Sequence, residues 1–405
     1  MAFAHQVGGH AATILASPLS SSTLIKPASE REFAFYQALG PSLADGHFVG
    51  DWTPAFYGTL RAHAPPENAT AEPGTEAGRA MSQPDMLVLE NLTHRFLRPN
   101  VLDIKLGTQL FDEEATDEKR IRMLRAAEAT TSATTGVRLT GFQVWDTRTQ
   151  TYVQTDKVFG KSLRPDELDL GMARFFYPQL SPLSVAERAT LAGAAQADGH
   201  TSGSAAGGAT MTTASYAHPQ SAPAPDQPPS LASPSTDATA FGPAPLPLDL
   251  LLIVLRTLLR RLHELIDVLS DLEVRMRGAS LLVVIEGDPD ALERAILRAS
   301  GVSAPATQSS SSRDAAPDEA ATADDDDEEN GDAESVSTTD EEGNAKPETL
   351  LPLEMRLIDF AHTRDATGEG PDEGVLLGLR TVERLWADLV RRLEERERNE
   401  ADSAS

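Results

Sequence analysis

Residues 99–107 read PNVLDIKLG, and inside that apolar run Asp103 and Lys105 stand two positions apart. Side chains two apart on a strand point to the same face. A carboxylate and an ammonium would therefore share one surface of an otherwise buried element that Gly107 ends. Asp103 can orient a hydroxyl or accept its proton, and Lys105 can hold a phosphate as a point charge. A structural ion pair is the plainer alternative. Buried pairs give little stability over apolar residues of equal volume, which leans the reading toward a site.

Further stretches carry compatible chemistry. TLIKP and REFAFYQAL put Lys26 on a strand and Glu32 at a helix start, after HQVGGHAATIL, which reads as a strand with a Gly-Gly turn. Protein kinases hold nucleotide phosphates with a strand lysine fixed by a helix glutamate, and paired glycines let backbone N–H groups approach a phosphate. A hairpin turn and a surface lysine are the bland alternatives. In DMLVLENLTHRF an apolar strand ends at Glu90-Asn91-Leu92. A two-lobed kinase crosses between lobes at such a place and offers its backbone to adenine, although a strand running into a loop explains the residues equally well. LIDFAHT sets Asp359 at the end of another apolar strand, as a Mg²⁺ ligand or a simple cap, with His362 three residues on to touch a substrate phosphate or serve structurally. EKRIRMLRAA carries Lys119, Arg120, Arg122 and Arg125, and DKVFGKSL carries Lys157 and Lys161 around Gly160. Two basic clusters soon after the Asp-Lys strand suggest a polyanion pocket, against the commoner solvated face.

These residues need elements to position them. Of 405 residues none is cysteine, which excludes disulfides and thiolate metal sites and fits an intracellular protein. No apolar run reaches the roughly 20 residues that span a bilayer, and the N-terminus lacks the basic start of a signal peptide. About half of the net charge of −27 is local: 14 acidic residues and no Lys or Arg lie between Asp314 and Glu342, leaving −13 on the rest of the chain. Such a balance argues against general nucleic-acid binding, which needs Lys and Arg on phosphates. Ala192 to Pro247 is Ala/Ser/Thr-rich and then Pro-rich, and 301–349 is acidic; both read as disordered insertions. Between them LPLDLLLIVLRTLLRRLHELIDVL has helical apolar spacing, followed by a strand at SLLVVIEGD and a short helix. After the acidic run come a strand, EMRLIDFAHT, and an amphipathic helix from about Gly374 to Arg396. There is no internal repeat.

Taken in order, these stretches resemble the inositol polyphosphate kinase family. Its pattern Pro-x-x-x-Asp-x-Lys-x-Gly is met by Pro99, Asp103, Lys105 and Gly107, supported by TSATTGVRLTGFQVWD, FGKSL, the Ser-Leu-Leu of SLLVVIEG, and IDFAH. HQVGGH, LENLTHRFLRPNVLDIKLG and the acidic run before IDFAH look most like the fungal multikinase branch. The resemblance implies an α+β, two-lobed, protein-kinase-like fold with an antiparallel sheet in the N-lobe and ATP between the lobes. It implies residues 1–92 as N-lobe and hinge, 93–191, 248–300 and 350–405 as C-lobe, and insertions at 192–247 and 301–349. By resemblance, Lys26 holds nucleotide phosphates and Glu90 with Leu92 meets adenine. Asp103 contacts the ribose or the reacting hydroxyl, and Lys105 bridges transferred phosphate and substrate. Ser280 and Asp359 serve Mg²⁺, while Lys119, Arg122, Lys157 and His362 bind inositol phosphates. One departure stands out: Gln143, in GFQVW, occupies a position where members often carry arginine. The implied activity is ATP-dependent phosphorylation of inositol trisphosphate to tetrakis- and pentakisphosphate, in nucleus and cytoplasm. Rival readings are a trisphosphate 3-kinase, a hexakisphosphate kinase, or, in another class, a transcriptional scaffold whose acidic tract meets transcription factors. The residues leave open whether a phosphoinositide lipid is a substrate.

Overall fold

The computed structural model describes residues 3–8, 14–18, 20–43, 47–60, 86–180, 243–300 and 352–404. Strands β1 (Leu15–Ala16), β2 (Thr23–Pro27), β3 (Phe56–Leu60) and β4 (Met86–Glu90) form one antiparallel sheet in the order β1–β2–β4–β3. Helix α1 (Glu30–Ala34) follows β2; the Ser29 side chain accepts the Glu32 N–H and two acids in the first turn suit the helix dipole. The helix widens into a π-helical turn at Phe35–Leu39, a feature often found beside functional sites. Helix α2 (His47–Trp52) leads into β3.

The larger lobe is built on five antiparallel strands. These are β5 (Pro99–Leu106), β6 (Val137–Asp146), β7 (Thr151–Thr155), β9 (Ser280–Glu286) and β10 (Leu353–Ile358), in the order β10–β9–β5–β6–β7. Between β5 and β6 lie α3 (Asp117–Glu128) and α4 (Ser132–Thr135); after β7 come α5 (Lys157–Ser162) and α6 (Leu168–Phe176). Helix α7 (Leu248–Asp271), β8 (Val274–Met276), α8 (Pro289–Ala299), β11 (Thr363–Asp365) and α9 (Glu373–Ala404) complete the lobe, β8 pairing with β11.

Alternation along β5 explains its mixed composition. Leu102, Ile104 and Leu106 are fully buried in the main core with Leu251, Leu255 and Leu258 of α7 and Leu379 and Trp386 of α9. The opposite face presents Val101, Asp103 and Lys105 to the smaller sheet. A register shift between β5 and β6 falls after Asp103, but the pairing with β9 runs unbroken, Asp103 opposite Leu282 and Lys105 opposite Ser280. The acid and the base therefore keep a common face.

Three expectations are corrected. Residues 3–8 form a turn and an extended segment that pairs with no sheet among the described residues, and only Leu15–Ala16 forms a strand. The reason is contact: a Cβ on Gly8 would stand 1.8 Å from Asp103 Oδ2, and one on Gly141 would stand 2.0 Å from the Val7 carbonyl. The segment thus lies flat across β5 and β6, which needs glycine at both contacts. EMRLIDFAHT is two short strands, broken where Asp359 takes φ 69°, a left-handed backbone rare outside glycine. The last helix runs on to Ala404, past the expected end near Arg396. Gly9 of the expected glycine pair and both proposed insertions, apart from residues 243–247, lie outside the described residues. No described helix is long and apolar enough to cross a membrane.

Candidate active site

Between the two sheets opens a cleft with a volume of about 150 Å³. It is lined by apolar Leu24, Leu89, Val101 and Leu282 together with Lys26, Asp103 and Asp359, and along one side by Glu90, Asn91 and Leu92. A mostly apolar wall with a few convergent charges is the usual make-up of a small-molecule site. Glu90 pairs with Thr23, three residues along β2 from Lys26. At about 3.3 Å per residue that separates the hinge from the lysine by about 10 Å, the reach of a nucleoside between base and phosphates. The segment that follows Leu92 is pinned: Glu286 accepts the N–H groups of Leu97 and Arg98 at 2.7 and 2.8 Å, and Arg95 pairs with Glu354 at 2.5 Å.

Lys26 is the centre of the charged cluster. Its ammonium donates to Glu32 Oε1 at 2.7 Å and to Asp359 Oδ1 at 2.6 Å. Burial alone would lower it, yet the two carboxylates hold it above its ordinary value. Asp359 is held below its ordinary value; burial opposes this, but the charge and hydrogen bond of Lys26, with Lys105, prevail. Its side chain remains 41% exposed, so one oxygen is left for a ligand.

Asp103 differs. Burial first, then the negative charge of Asp359, push its carboxyl up to about 6, against the pull of Lys105 and Arg138. Lys105 makes no ion pair with it. The ammonium donates instead to the Gly278 carbonyl at 2.5 Å, and burial, with help from Arg138 and Lys26, holds it below its ordinary value. The plain ion-pair reading of the two residues is therefore excluded.

The pairing of Ile358 with Ser280 brings Ser280 beside the Asp359 turn. Asp103 Oδ1 and Ser280 Oγ are buried without a well-formed hydrogen bond, although the Ser280 hydroxyl lies close enough to Asp103 to favour its charged form. Orphaned polar atoms next to a reachable carboxylate suit a small, hard cation that takes few protein ligands and completes its shell with phosphate oxygens and water. Among the described residues no three His, Cys, Asp or Glu side chains gather as a self-sufficient metal cage. The residues present fit Mg²⁺ in that manner.

The basic residues divide. Lys119, capped into α3 by Thr116, and His362 line a shallow recess beside the cleft, where His362 Nδ1 meets Asp112 Oδ2 at 2.6 Å. Arg122 lies exposed on α3 and Lys157 exposed at the start of α5. Lys157 is near enough to Lys161 to help lower it, after burial and Arg138. Arg138 is the residue that sequence reasoning missed. It sits opposite Lys105 on β6 and bridges electrostatically between Lys105 and Lys161. Its only signal was an arginine inside a strand flanked by buried Val137 and Leu139. Arg120, by contrast, donates to the carbonyls of Ala115 and Glu113 and holds the turn before α3.

Gln143 is buried behind the cleft and holds a residue that lines it. Its amide donates to the Pro99 carbonyl at 3.0 Å and to His5 Nδ1 at 2.8 Å. Burial lowers the His5 pKa, so the ring is held neutral against Tyr152. Gln143 thus acts as a neutral clasp on the amino-terminal segment.

The model of the inositol polyphosphate kinase family matches residues 86–192 and 248–387, more than half of the chain. The inositol polyphosphate multikinase of Saccharomyces cerevisiae is 27% identical over 418 residues, covering 93% of this chain and 95% of that one. That of Schizosaccharomyces pombe is 29% identical over 177 residues, 43% of this chain and 62% of that protein, so the match leaves more than a third of the relative uncovered. Human inositol hexakisphosphate kinase 1 is 44% identical over 77 residues, 19% of this chain and 18% of that one. The solved structure of the S. cerevisiae inositol phosphate multikinase Ipk2, in complex with ADP and Mn²⁺, superposes with a TM-score of 0.50 at 22% identity, covering 91% of this chain and 99% of that one. The chain is a member of the inositol polyphosphate kinase family, with that family's α+β, two-lobed fold.

Proposed function

We propose that this chain transfers the terminal phosphate of ATP to ring hydroxyls of inositol polyphosphates, from trisphosphate to tetrakis- and pentakisphosphate. The observation that carries this is the Lys26–Glu32–Asp359 cluster, whose Lys26 and Asp359 line one cleft with Asp103, while Lys105 lies close enough to feel the charges of Asp359 and Lys26. Family membership and the multikinase relatives support the same reading.

Phosphoryl transfer is chiefly positioning and charge neutralisation. Leu24, Leu89 and Leu282 enclose the base, and the hinge at Glu90 and Leu92 meets its edge. Lys26, held between two carboxylates, directs its ammonium at the nucleotide phosphates. Asp359 with Ser280 would hold Mg²⁺, which would neutralise phosphate oxygens when bound. Lys105 stands where transferred phosphate and acceptor meet, and Asp103, two residues away, orients the attacking hydroxyl and takes its proton. The acceptor's own phosphates are gripped by Arg138, Lys161, Lys157 and, on the other flank, Lys119, Arg122 and His362. A carboxyl near 6 is mostly ionised at neutral pH, as a general base requires.

Purified protein with inositol trisphosphate and labelled ATP should yield labelled higher phosphates, and chromatographic mapping should find phosphate added at more than one position. A single added position would point to a 3-kinase, and no labelled product would sink the reading. A phosphoinositide belongs in the same panel, since the polyanion pocket suits its headgroup chemistry.

A further inference from the structure

Asp112 lies between β5 and α3, outside the cleft, yet only 6% of it is exposed. One oxygen, Oδ2, receives Arg31 Nη1 at 3.0 Å and His362 Nδ1 at 2.6 Å. Neither neighbour is incidental. Arg31 precedes Glu32 on α1, and His362 follows Asp359 by three residues on the loop after β10. A single carboxylate therefore grips the chain neighbours of both acids that hold Lys26.

Helix α1 and that loop meet in three layers. In the cleft, Lys26 joins Glu32 to Asp359. Next to it, the Phe35 ring lies on Phe360 at 3.9 Å with 9° between planes. Outermost, Asp112 joins Arg31 to His362. The stack sets the separation of helix and loop, but parallel rings resist sliding in their own plane weakly. Such a slide would carry Glu32 past Asp359 and pull Lys26 off line. Short charge-assisted contacts to one oxygen oppose that motion because they are directional. Exposed ion pairs contribute little, but this carboxylate is buried, with its second oxygen lacking any partner. Arg31 has a further contact to the exposed Glu114, which reaches no part of the Asp359 loop.

We propose that Asp112 is a positioning residue for phosphoryl transfer: by bridging Arg31 to His362 it holds helix α1 and the Asp359 loop in the register at which Lys26 meets both carboxylates. Its catalytic consequence rests on the kinase reading above; its structural consequence does not. Misplacing reacting groups by about an ångström costs on the order of a hundredfold in rate.

The test uses the full chain with Asp112→Ala, Asp112→Asn, Arg31→Ala and the Asp112→Ala/Arg31→Ala pair. Turnover on inositol trisphosphate in Asp112→Ala should fall roughly 10- to 100-fold while KM for ATP stays within about threefold, because the apolar residues Leu24, Leu89 and Leu282 that would enclose the base are untouched and only the charged end of the cleft moves. Asp112→Asn, which keeps an acceptor oxygen, should recover part of the loss, and Arg31→Ala should add little to Asp112→Ala. Hydrogen exchange without substrate supplies the independent readout: amides of residues 30–39 should exchange faster in Asp112→Ala while α9 stays protected. If that variant fails to fold, Asp112→Asn and Arg31→Ala carry both measurements. Wild-type kcat in Asp112→Ala, or unchanged exchange over residues 30–39, overturns the proposal. A wild-type protein without turnover, in which the variant still loosens 30–39, sinks the kinase reading and supports the clamp.

Discussion

Asp103 carries a charge that the fold penalises. Its carboxyl is raised from 3.8 to about 6 by burial and by the neighbouring Asp359. Sign follows directly: the folded state binds the proton more tightly, so stability is fully present below the unfolded value near 3.8 and is lost as pH rises through about 6. Removing the charge should therefore stabilise. Asp103→Asn should melt several degrees above wild type at pH 7.5, with the advantage gone by about pH 4, and should lose turnover. Thermal melts of the ligand-free proteins at both pH values check this; an equal difference at the two pH values would contradict the assignment. Lys105→Ala should lower kcat by a hundredfold or more, in the range of losing one preorganised charge contact, with a wild-type melting profile. Gly8→Ala should weaken ATP binding roughly tenfold, since its methyl would displace the Asp103 carboxylate, and titration with a fluorescent ATP analogue measures it.

In the proposed mechanism β5 and β6 set specificity. Strand β5 carries Asp103 and Lys105, and its neighbour supplies Arg138 opposite Lys105, with Lys161 and Lys157 of α5 close by. Arg138→Ala should raise KM for inositol trisphosphate by about tenfold while leaving KM for ATP alone, because the guanidinium contacts the acceptor side. Equal change in both constants would place Arg138 in the sheet's architecture instead. Helix α1 works at the same scale: it is only five residues long, so its stability comes from what it packs against rather than from its own hydrogen bonds. That makes its side-chain ties to Lys26, Phe360 and Asp112 the determinants of where Glu32 stands.

At the scale of the whole molecule, the cleft is lined by residues of two antiparallel sheets that the chain connects after β4. Every residue assigned a role lies within the described residues, and the acidic run does not. Deleting residues 301–349 should accordingly leave turnover within about twofold, since shortening a long loop changes closure entropy only slightly. A collapse in rate would give the acidic tract a part in catalysis; retained rate with loss of a bound protein would favour the scaffold reading alongside it.

Much could be read from the chain before any fold was known. Contiguous patterns carried it: PNVLDIKLG, IDFAH and the helical spacing of residues 250–269 report local geometry, and local geometry follows from side-chain period and turn chemistry. Beyond reach were relations across long separations. Lys26 and Asp359 are 333 positions apart, and nothing in either neighbourhood says that they touch. The same holds for Arg138 beside Lys105, for the Gly8 contact that keeps the first residues out of the sheet, and for Asp112 between Arg31 and His362. Each depends on which elements burial brings together, a property of the packed chain as a whole, whereas residue type and spacing determine only what each element offers once it is there.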